Sequence, residues 1–210
     1  MTVTATRQRL NRALVIELAA VIADSEGIDA VTLQRIANDS GVKQPALYRH
    51  VSGIEDLWKE LALRARRLLA ESLMSAHVGL ERTDAVRAVA QAWRRFVRTH
   101  PGLYSATDRV PSVGDGDIEK SLSLVIDALV KSLSSYNLSD KERAQYARTL
   151  RSSLHGFCVL EKDHGHPEPL SVDAGLDHLV EILCCGFEAF EKRTKVDGTS
   201  LHDDNGAVPS

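Results

Sequence analysis

Apolar residues recur every three or four positions along most of this chain, which is the spacing of one face of an α-helix. The first stripe predicts a helix that ends near Gly27, and it consists of Leu14, Leu18, Val21 and Ile22. Beyond residue 52, no segment shows the alternation of apolar and polar residues that indicates a strand. The pattern therefore predicts an all-α protein.

Two short helices around a tight turn follow the first stripe. Thr32 stands where an N-cap belongs, Gly41 supplies the left-handed residue that closes one helix, and Pro45 suits the first turn of the next. In that next helix, Leu47 and Val51 lie four residues apart and face inward, which leaves polar side chains outside. This is the shape of a helix-turn-helix DNA reader. The competing interpretation is a helical hairpin that packs on another protein or caps the fold.

The remaining chain predicts longer helices separated by clear breaks. One helix spans about residues 54–76, and a second opens at Thr83 and stops at His100-Pro101-Gly102. A capping box at Ser139–Glu142 begins another helix, and a break at residues 165–169 precedes the last one. The long helix at residues 54–76 would connect the reader to the rest of the chain.

The N-terminal residues resemble the DNA-binding domain of the TetR (Tet repressor-like) family over about residues 9–70. The resemblance rests on Arg9–Ile16, Glu26–Ile28, Thr32, Ile36–Ala37, Gly41–Pro45 and Leu47–Val51. It implies a three-helix DNA-binding domain at residues 9–52 and a helical effector-binding and dimerisation domain at residues 53–195. We expect residues 196–210, which are polar and contain glycine and proline, to be a disordered tail.

The resemblance also assigns DNA contacts to Thr32, Gln34, Lys43, Gln44, Tyr48 and His50, and to these we add Pro45, Ala46 and Arg49. Gln34 and Gln44 correspond to base readers, and a glutamine amide can bond adenine N6 and N7 together. Hydroxyl, ammonium and imidazole donors suit phosphates instead. Pro45 and Ala46 would touch thymine methyl groups.

The chain departs from the family where the long helix begins. Ile54 stands where the family usually has a lysine, and Glu55 and Asp56 follow it. We expect one phosphate contact to be missing and the two carboxylates to repel the phosphate. Arg49 and the arginines of an N-terminal arm, Arg7, Arg9 and Arg12, would compensate for the missing contact. The arm either enters a minor groove or is a frayed terminus, and the sequence leaves both interpretations open.

The last two helices have wide apolar faces that suit a symmetric four-helix interface between two subunits. The residues assigned to dimerisation are Leu176, Leu179, Val180, Leu183 and Phe187. The alternative is that these faces are buried inside one subunit. One short reader contacts few bases, so a homodimer on a palindromic operator of double-stranded DNA is expected, with half-sites roughly 34 Å or a multiple apart.

Large apolar side chains on the middle helices predict a pocket for a small, largely apolar effector, and the resemblance places such a pocket there. The candidate residues are Trp93, Phe96, Tyr104, Leu154, His155 and Phe157. Plain core packing is the alternative for each of them. His155-Gly156-Phe157 also resembles a motif of some TetR C-terminal domains. Gly156 within a helix indicates a close helix crossing or a pocket wall. The interpretation is a ligand-responsive repressor.

A metal- or redox-responsive regulator is the second hypothesis. His155 and Cys158 share a helical face and are followed by further potential ligands, whereas Cys184 is the candidate thiol for a redox switch. A helical small-molecule-binding protein without DNA function is a third. No nucleophile elbow, phosphate-cradling loop or dinucleotide fingerprint occurs, so neither an enzyme nor a cofactor is predicted.

Composition limits the class without deciding it. The 210 residues include 43% apolar residues and carry a net charge of −3. Residues 1–52 hold six lysines and arginines against five acidic residues, so a local basic patch would have to attract DNA. Three cysteines, two of them adjacent, do not form a disulfide framework, and no signal peptide or membrane span is evident, which predicts a cytoplasmic protein.

Overall fold

The computed structural model describes the backbone of residues 10–200 and the side chains of residues 10–193. This part of the chain is helical and contains no strand, which confirms the predicted all-α class. None of its helices is both long and apolar enough to cross a membrane. The α-helices are α1 (Arg12–Glu26), α2 (Leu33–Ser40), α3 (Ile54–Ala76), α4 (Arg82–Thr99), α5 (Pro101–Ser105), α6 (Gly116–Ser132), α7 (Asp140–Lys162) and α8 (Val172–Ser200). Short 3-10 helices occupy Ile28–Ala30, Gln44–Arg49 and Ala106–Asp108.

The chain forms two compact units. Among the described residues, the first unit contains those up to Leu69 together with Phe96–Leu124, and the second contains Ala70–Arg95 together with those from Val125 onward. The family resemblance implied a domain boundary after residue 52. The structural grouping places the start of α3 and all of α5 with the N-terminal helices, because side chains far apart in sequence meet there.

Local signals in the sequence predict the helix ends correctly. Thr32 caps α2, and its Oγ1 accepts the backbone N–H of Arg35 at 3.1 Å. Gly41 follows α2 with φ 66°, the left-handed conformation that glycine adopts at little cost. Both halves of the capping box between Ser139 and Glu142 are present at the start of α7. The predicted bounds of α3 are confirmed, and α4 begins one residue before the predicted position.

In the first unit, α1 and α5 approach each other closely at Gly102. A Cβ at this position would overlap the backbone carbonyl of Ala23, so only glycine fits. Next to this contact, the carboxylate of Asp24 accepts the backbone N–H of Leu103 at 2.8 Å and lies 2.8 Å from Nδ1 of His100. The end of α1 therefore caps the start of α5 from a distance of about 80 residues in sequence.

In the second unit, a buried arginine joins α4, α7 and α8. Arg94 is only 7% exposed, and its guanidinium binds both carboxylate oxygens of Glu161 at 2.7 Å and Oδ1 of Asp173 at 2.6 Å. At the other end of α8, buried Glu191 accepts Arg82 Nη2 at 2.9 Å and the backbone N–H of Asn137 at 2.7 Å. The second unit is therefore held together by internal ion pairs as well as by its apolar core.

Two predictions differ from the structure. A Cβ on Gly156 would meet no neighbour within 4 Å, so within the protomer no helix crosses closely there, and of the two expectations the pocket wall stays a prediction. The backbone of α8 continues to Ser200, beyond the predicted start of a tail at residue 196. The rest of that tail, residues 201–210, lies outside the described residues.

Candidate nucleic-acid interface

The second helix of the helix-turn-helix is the 3-10 helix Gln44–Arg49, which we call the reader helix. A 3-10 helix has three residues per turn, so every third side chain shares a side. Leu47 is fully buried on the side that also carries the half-buried Gln44 and His50. On the outer sides, Tyr48 is 55% exposed, and Pro45 and Arg49 are exposed as well. The reader helix thus presents an aromatic hydroxyl and a guanidinium to the exterior.

Helix α2 adds polar groups to the same helix-turn-helix. Gln34 is exposed and its Nε2 donates to Oδ1 of Asn38 at 2.9 Å. Arg35, the arginine of α2, binds Glu26 at 2.7 Å and Asp39 at 2.9 Å, and its hydrogen bond lowers the pKa of Glu26. The positive charge of Arg35 is therefore already balanced within the fold, whereas the amide of Gln34 stays accessible.

The cations next to and within the reader helix have a different setting. Lys43 and Arg49 are both exposed, and no described residue forms an ion pair with either of them. Ala46 is half-buried between them, and Thr32 is exposed at the start of α2. This side of the helix-turn-helix therefore carries positive charge that no carboxylate of the described chain neutralises.

Arg12 of α1 links the end of the reader helix to the first turns of α3. Its guanidinium donates to the backbone carbonyl of His50 at 2.6 Å, to Asp56 at 2.8 and 3.0 Å and to Glu60 at 2.7 Å. The Ser52 backbone N–H also donates to Asp56 at 2.9 Å. These contacts, the Arg12 hydrogen bond foremost, hold the pKa of Asp56 down at about 2.

This arrangement corrects two expectations. Arg12 is the first residue of α1 and is part of an ion-pair cluster, so it does not belong to an arm; Arg7 and Arg9 lie outside the described residues. The carboxylate of Asp56 faces Arg12, so its charge is balanced and does not simply repel a phosphate. No local pattern could indicate this pair, because its members are 44 residues apart.

The structure assigns the candidate effector residues to both units. Trp93 and Leu154 are buried in the second unit, where His155 and Phe157 are half-buried. The Phe157 ring lies 5.0 Å from that of His166, centroid to centroid. The other two candidates, Phe96 and Tyr104, are buried in the first unit. Their rings meet edge to face with centroids 6.4 Å apart. The six residues therefore do not form one cluster inside either unit.

The dimerisation residues lie mostly on the inner face of α8. Leu176, Val180 and Phe187 are buried within the second unit. Leu179 and Leu183 are half-buried. The ring of Phe187 stacks on Tyr146 with centroids 5.1 Å apart. Ile182 is instead 69% exposed on the outer face of α8, and Phe190 is 45% exposed with its ring 5.7 Å from that of Tyr146, centroid to centroid. The apolar stripe was correctly recognised, but much of it serves the protomer's own core.

The thiols of the metal and redox hypothesis are largely enclosed. Cys158 is 1% exposed, and burial raises the pKa of its thiol to about 12. Burial also raises the pKa of Cys184. Across the part of the chain that the structure describes, no group of three or more histidine, cysteine, aspartate or glutamate side chains could hold a metal ion. His155 and Cys158 thus gain no third ligand there.

Sequence comparison identifies the family to which this architecture belongs. The family described as "Bacterial regulatory proteins, tetR family" matches residues 15–61, and "Tetracyclin repressor-like, C-terminal domain" matches residues 86–183. The HTH-type transcriptional regulator Rv0681 of Mycobacterium tuberculosis is 34% identical over 193 residues, which cover 91% of this chain and 87% of the relative. The chain belongs to the TetR family.

Other comparisons agree with this placement. The HTH-type transcriptional regulator YobS of Bacillus subtilis is 30% identical to this protein over 152 residues, which cover 72% of this chain and 78% of YobS. The crystal structure of a TetR variant from Acinetobacter baumannii AYE in complex with minocycline shares the fold, with a TM-score of 0.65 at 19% identity over 87% of this chain and 99% of that one. This TetR-family chain is a DNA-binding transcriptional regulator.

Proposed function

We propose that this TetR-family chain is a homodimeric repressor that binds a palindromic operator and is released by a small, largely apolar effector. The observation that carries the DNA-binding role is the outer side of the helix-turn-helix, where Lys43, Tyr48 and Arg49 are exposed. The positive charges there have no ion-pair partner among the described residues. A surface of this kind releases counterions from DNA and so gains affinity.

Within this proposal, the contacts divide by chemistry. The amides of Gln34 and Gln44 read base edges in the major groove, where glutamine recognises adenine. Pro45 and Ala46 pack against thymine methyl groups. The remaining residues hold the phosphate backbone and set the register of the reader helix; they are Thr32, Lys43, Tyr48, Arg49 and His50.

The dimer is proposed to form through the outer face of α8 together with α7. Ile182 exposes a large apolar side chain on this face, Phe190 is 45% exposed, and Leu160 near the end of α7 is 48% exposed. Burying such side chains between two copies removes apolar area from water. Two-fold symmetry would then present two reader helices to half-sites roughly 34 Å or a multiple apart, which requires a palindromic operator.

The effector is proposed to bind in the second unit near Trp93, Leu154, His155 and Phe157. A TetR protein of similar fold has been crystallised in complex with minocycline. Because α3 begins at Ile54, shortly after the reader helix ends at Arg49, a tilt of α3 on effector binding would change the separation of the two reader helices. A coupling of this type typically amounts to about 1–3 kcal/mol.

Selection of bound genomic fragments by the purified chain tests the DNA-binding role. The experiment is done at about 150 mM salt, where non-specific binding is usually no tighter than micromolar. Enrichment of a short palindrome is the expected result. A folded dimer that enriches no sequence would contradict the proposal.

The base-reading assignment is tested by repeating the selection with Gln44→Ala. The variant should lose about 1–3 kcal/mol on the selected operator and relax its preference at one base pair in each half-site. Gln145→Ala is the matched control, because Gln145 is an exposed glutamine on α7 in the second unit. An unchanged preferred sequence for Gln44→Ala would show that Gln44 reads no base.

A further inference from the structure

The first unit contains a cavity of about 310 Å³ beside the first two turns of α3. One wall is formed by α3 and the other by the loop that leads into α6. The α3 wall contributes the indole of Trp58. The opposite wall contributes the apolar side chains of Val110, Pro111 and Val113 from the loop and of Ile118 from α6. Its volume lies at the lower end of the range of ligand pockets.

The loop over the cavity is held in place by side chains of α3. Arg66 is 4% exposed, and its guanidinium reaches the backbone carbonyls of Thr107 at 3.3 Å and Ile118 at 3.5 Å, which lie before and after the loop. Lys59 binds Asp115 at 2.6 Å. The cavity wall is therefore supported from both ends of the loop.

The cationic groups at the cavity already have partners. The ammonium of Lys59 is paired with Asp115, and the guanidinium of Arg109 pairs with Asp29 while lying 5.4 Å from the centroid of the Trp58 ring. Glu55 is an exposed anion at the same site. An anionic ligand would gain no unpaired cation here and would meet Glu55, and a cationic ligand would lie beside Lys59 and Arg109, so an uncharged ligand fits best.

One polar group in the wall has no partner. The indole Nε1 of Trp58 is buried and donates to no acceptor among the described residues. A buried N–H without an acceptor costs free energy, which a ligand oxygen in the cavity recovers if the ring turns to bring Nε1 towards it. The cavity therefore favours a ligand with one hydrogen-bond acceptor.

We propose that this cavity is a second ligand site, located in the DNA-binding unit, for an uncharged, mainly apolar molecule that carries one hydrogen-bond acceptor for Trp58. The site is separate from the proposed effector residues Trp93, Leu154, His155 and Phe157 of the second unit. Trp58 and Lys59 face the cavity from the same turns of α3 whose Asp56 and Glu60 hold Arg12. Occupation of the site would bear on the reader helix through Arg12, a consequence that rests on the proposed function.

The binding test requires no DNA, so its failure is distinguishable from failure of the proposed function. The probes are 2-acetonaphthone and 2-ethylnaphthalene, which share a ring system while only the ketone has an acceptor. The chain has two tryptophans, so the indole N–H region of a ¹⁵N spectrum contains two signals, which Trp58→Phe assigns. We expect the ketone to move the Trp58 signal downfield and to bind several-fold more tightly than 2-ethylnaphthalene.

Matched variants show whether the probe occupies this cavity. Val113→Trp fills or covers it and should weaken binding of the ketone at least tenfold. Val78→Trp should leave binding unchanged, because Val78 is similarly exposed (76% against 75%) and lies in the second unit. Trp58→Phe should reduce the preference for the ketone over 2-ethylnaphthalene severalfold. Equal affinity of the two valine variants, or a Trp58 signal that does not respond to the ketone, would overturn the proposal.

Discussion

Arg94 of the second unit and the exposed cations of the helix-turn-helix are used in opposite ways. In the second unit, Arg94 is buried and its guanidinium is bound by the carboxylates of Glu161 and Asp173. In the helix-turn-helix of the first unit, Lys43 and Arg49 are exposed and no described carboxylate pairs with them. Arg94 therefore stabilises its unit, whereas Lys43 and Arg49 are available to an external anion. The two roles differ because the fold supplies carboxylate partners for Arg94 and none, among the described residues, for Lys43 and Arg49.

Arg94→Met should produce the largest effect, and it should be an effect on stability. The substitution leaves the half-buried carboxylate of Glu161 without its cation, which typically costs about 3–5 kcal/mol. Urea unfolding at pH 7 measures this loss. Arg148→Met is the control, because Arg148 is exposed on α7 and should change stability by no more than about 0.5 kcal/mol. Equal unfolding midpoints of the two variants would contradict the structural role of Arg94.

Ile182→Glu should disrupt the proposed dimer without unfolding the second unit. Ile182 is 69% exposed in the protomer, so a charge there is tolerated in the monomer but would be buried in the interface. We expect a loss of about 2–4 kcal/mol of dimerisation free energy, a rise of roughly 30-fold or more in the dissociation constant. Sedimentation equilibrium measures it, with Val78→Glu as the control. If Ile182→Glu remains as dimeric as the wild type, the interface lies elsewhere.

Asp56→Asn should destabilise the first unit in a pH-dependent way. The pKa of Asp56 in the fold is about 2, below the value of about 3.9 for an unfolded aspartate. The stabilisation is therefore fully present above about pH 4 and is lost as the pH falls towards 2. At pH 7 the loss should be about 1.5–3 kcal/mol, as for a hydrogen bond between charged groups.

Urea unfolding of the wild type and Asp56→Asn at pH 7, 4 and 3 measures this difference. Asp127→Asn serves as the control, since Asp127 is an exposed aspartate on α6. A difference between the wild type and Asp56→Asn that stays constant down to pH 3 would show that the Arg12 ion pair is not its cause.

Lys43→Ala should have the smallest effect, and it should appear in DNA binding alone. Removing one phosphate contact per subunit should weaken binding to all sequences about equally and reduce the slope of log affinity against log salt by about one per subunit. Fluorescence anisotropy with labelled DNA at several salt concentrations measures the slope. Lys141→Ala, an exposed lysine of α7, should leave it unchanged. A lower unfolding midpoint for Lys43→Ala would mean that this cation also stabilises the fold.

The sequence predicted what depends on neighbouring residues. The Thr32 cap, the left-handed Gly41 and the Ser139–Glu142 capping box each involve groups within one helical turn, so residue types alone indicate them. The bounds of α3 follow from the same kind of signal. For this reason the fold class and the position of the reader helix could be derived before the structure was known.

Contacts between distant residues could not be predicted in this way. The close approach of Gly102 to Ala23 depends on how α5 packs on α1, and no local pattern shows it. The stripe on α8 predicted an apolar face but not which partner it covers, and the structure buries Phe187 against Tyr146 of the same protomer. The cavity beside Trp58 was missed because its walls come from α3 and a loop about 50 residues later.

The ion-pair cluster around Arg12 bears on how DNA specificity could be transplanted between relatives. Arg12 binds the carbonyl of His50, where the reader helix ends, and the carboxylates of Asp56 and Glu60. Exchanging residues 44–49 alone would place the reader helix of a relative on an ion-pair cluster that fits the reader helix of this protein. A chimera that carries positions 12, 56 and 60 along with the reader would preserve its angle to α1 and α3. The smallest portable unit of recognition in this protein is therefore discontinuous in sequence.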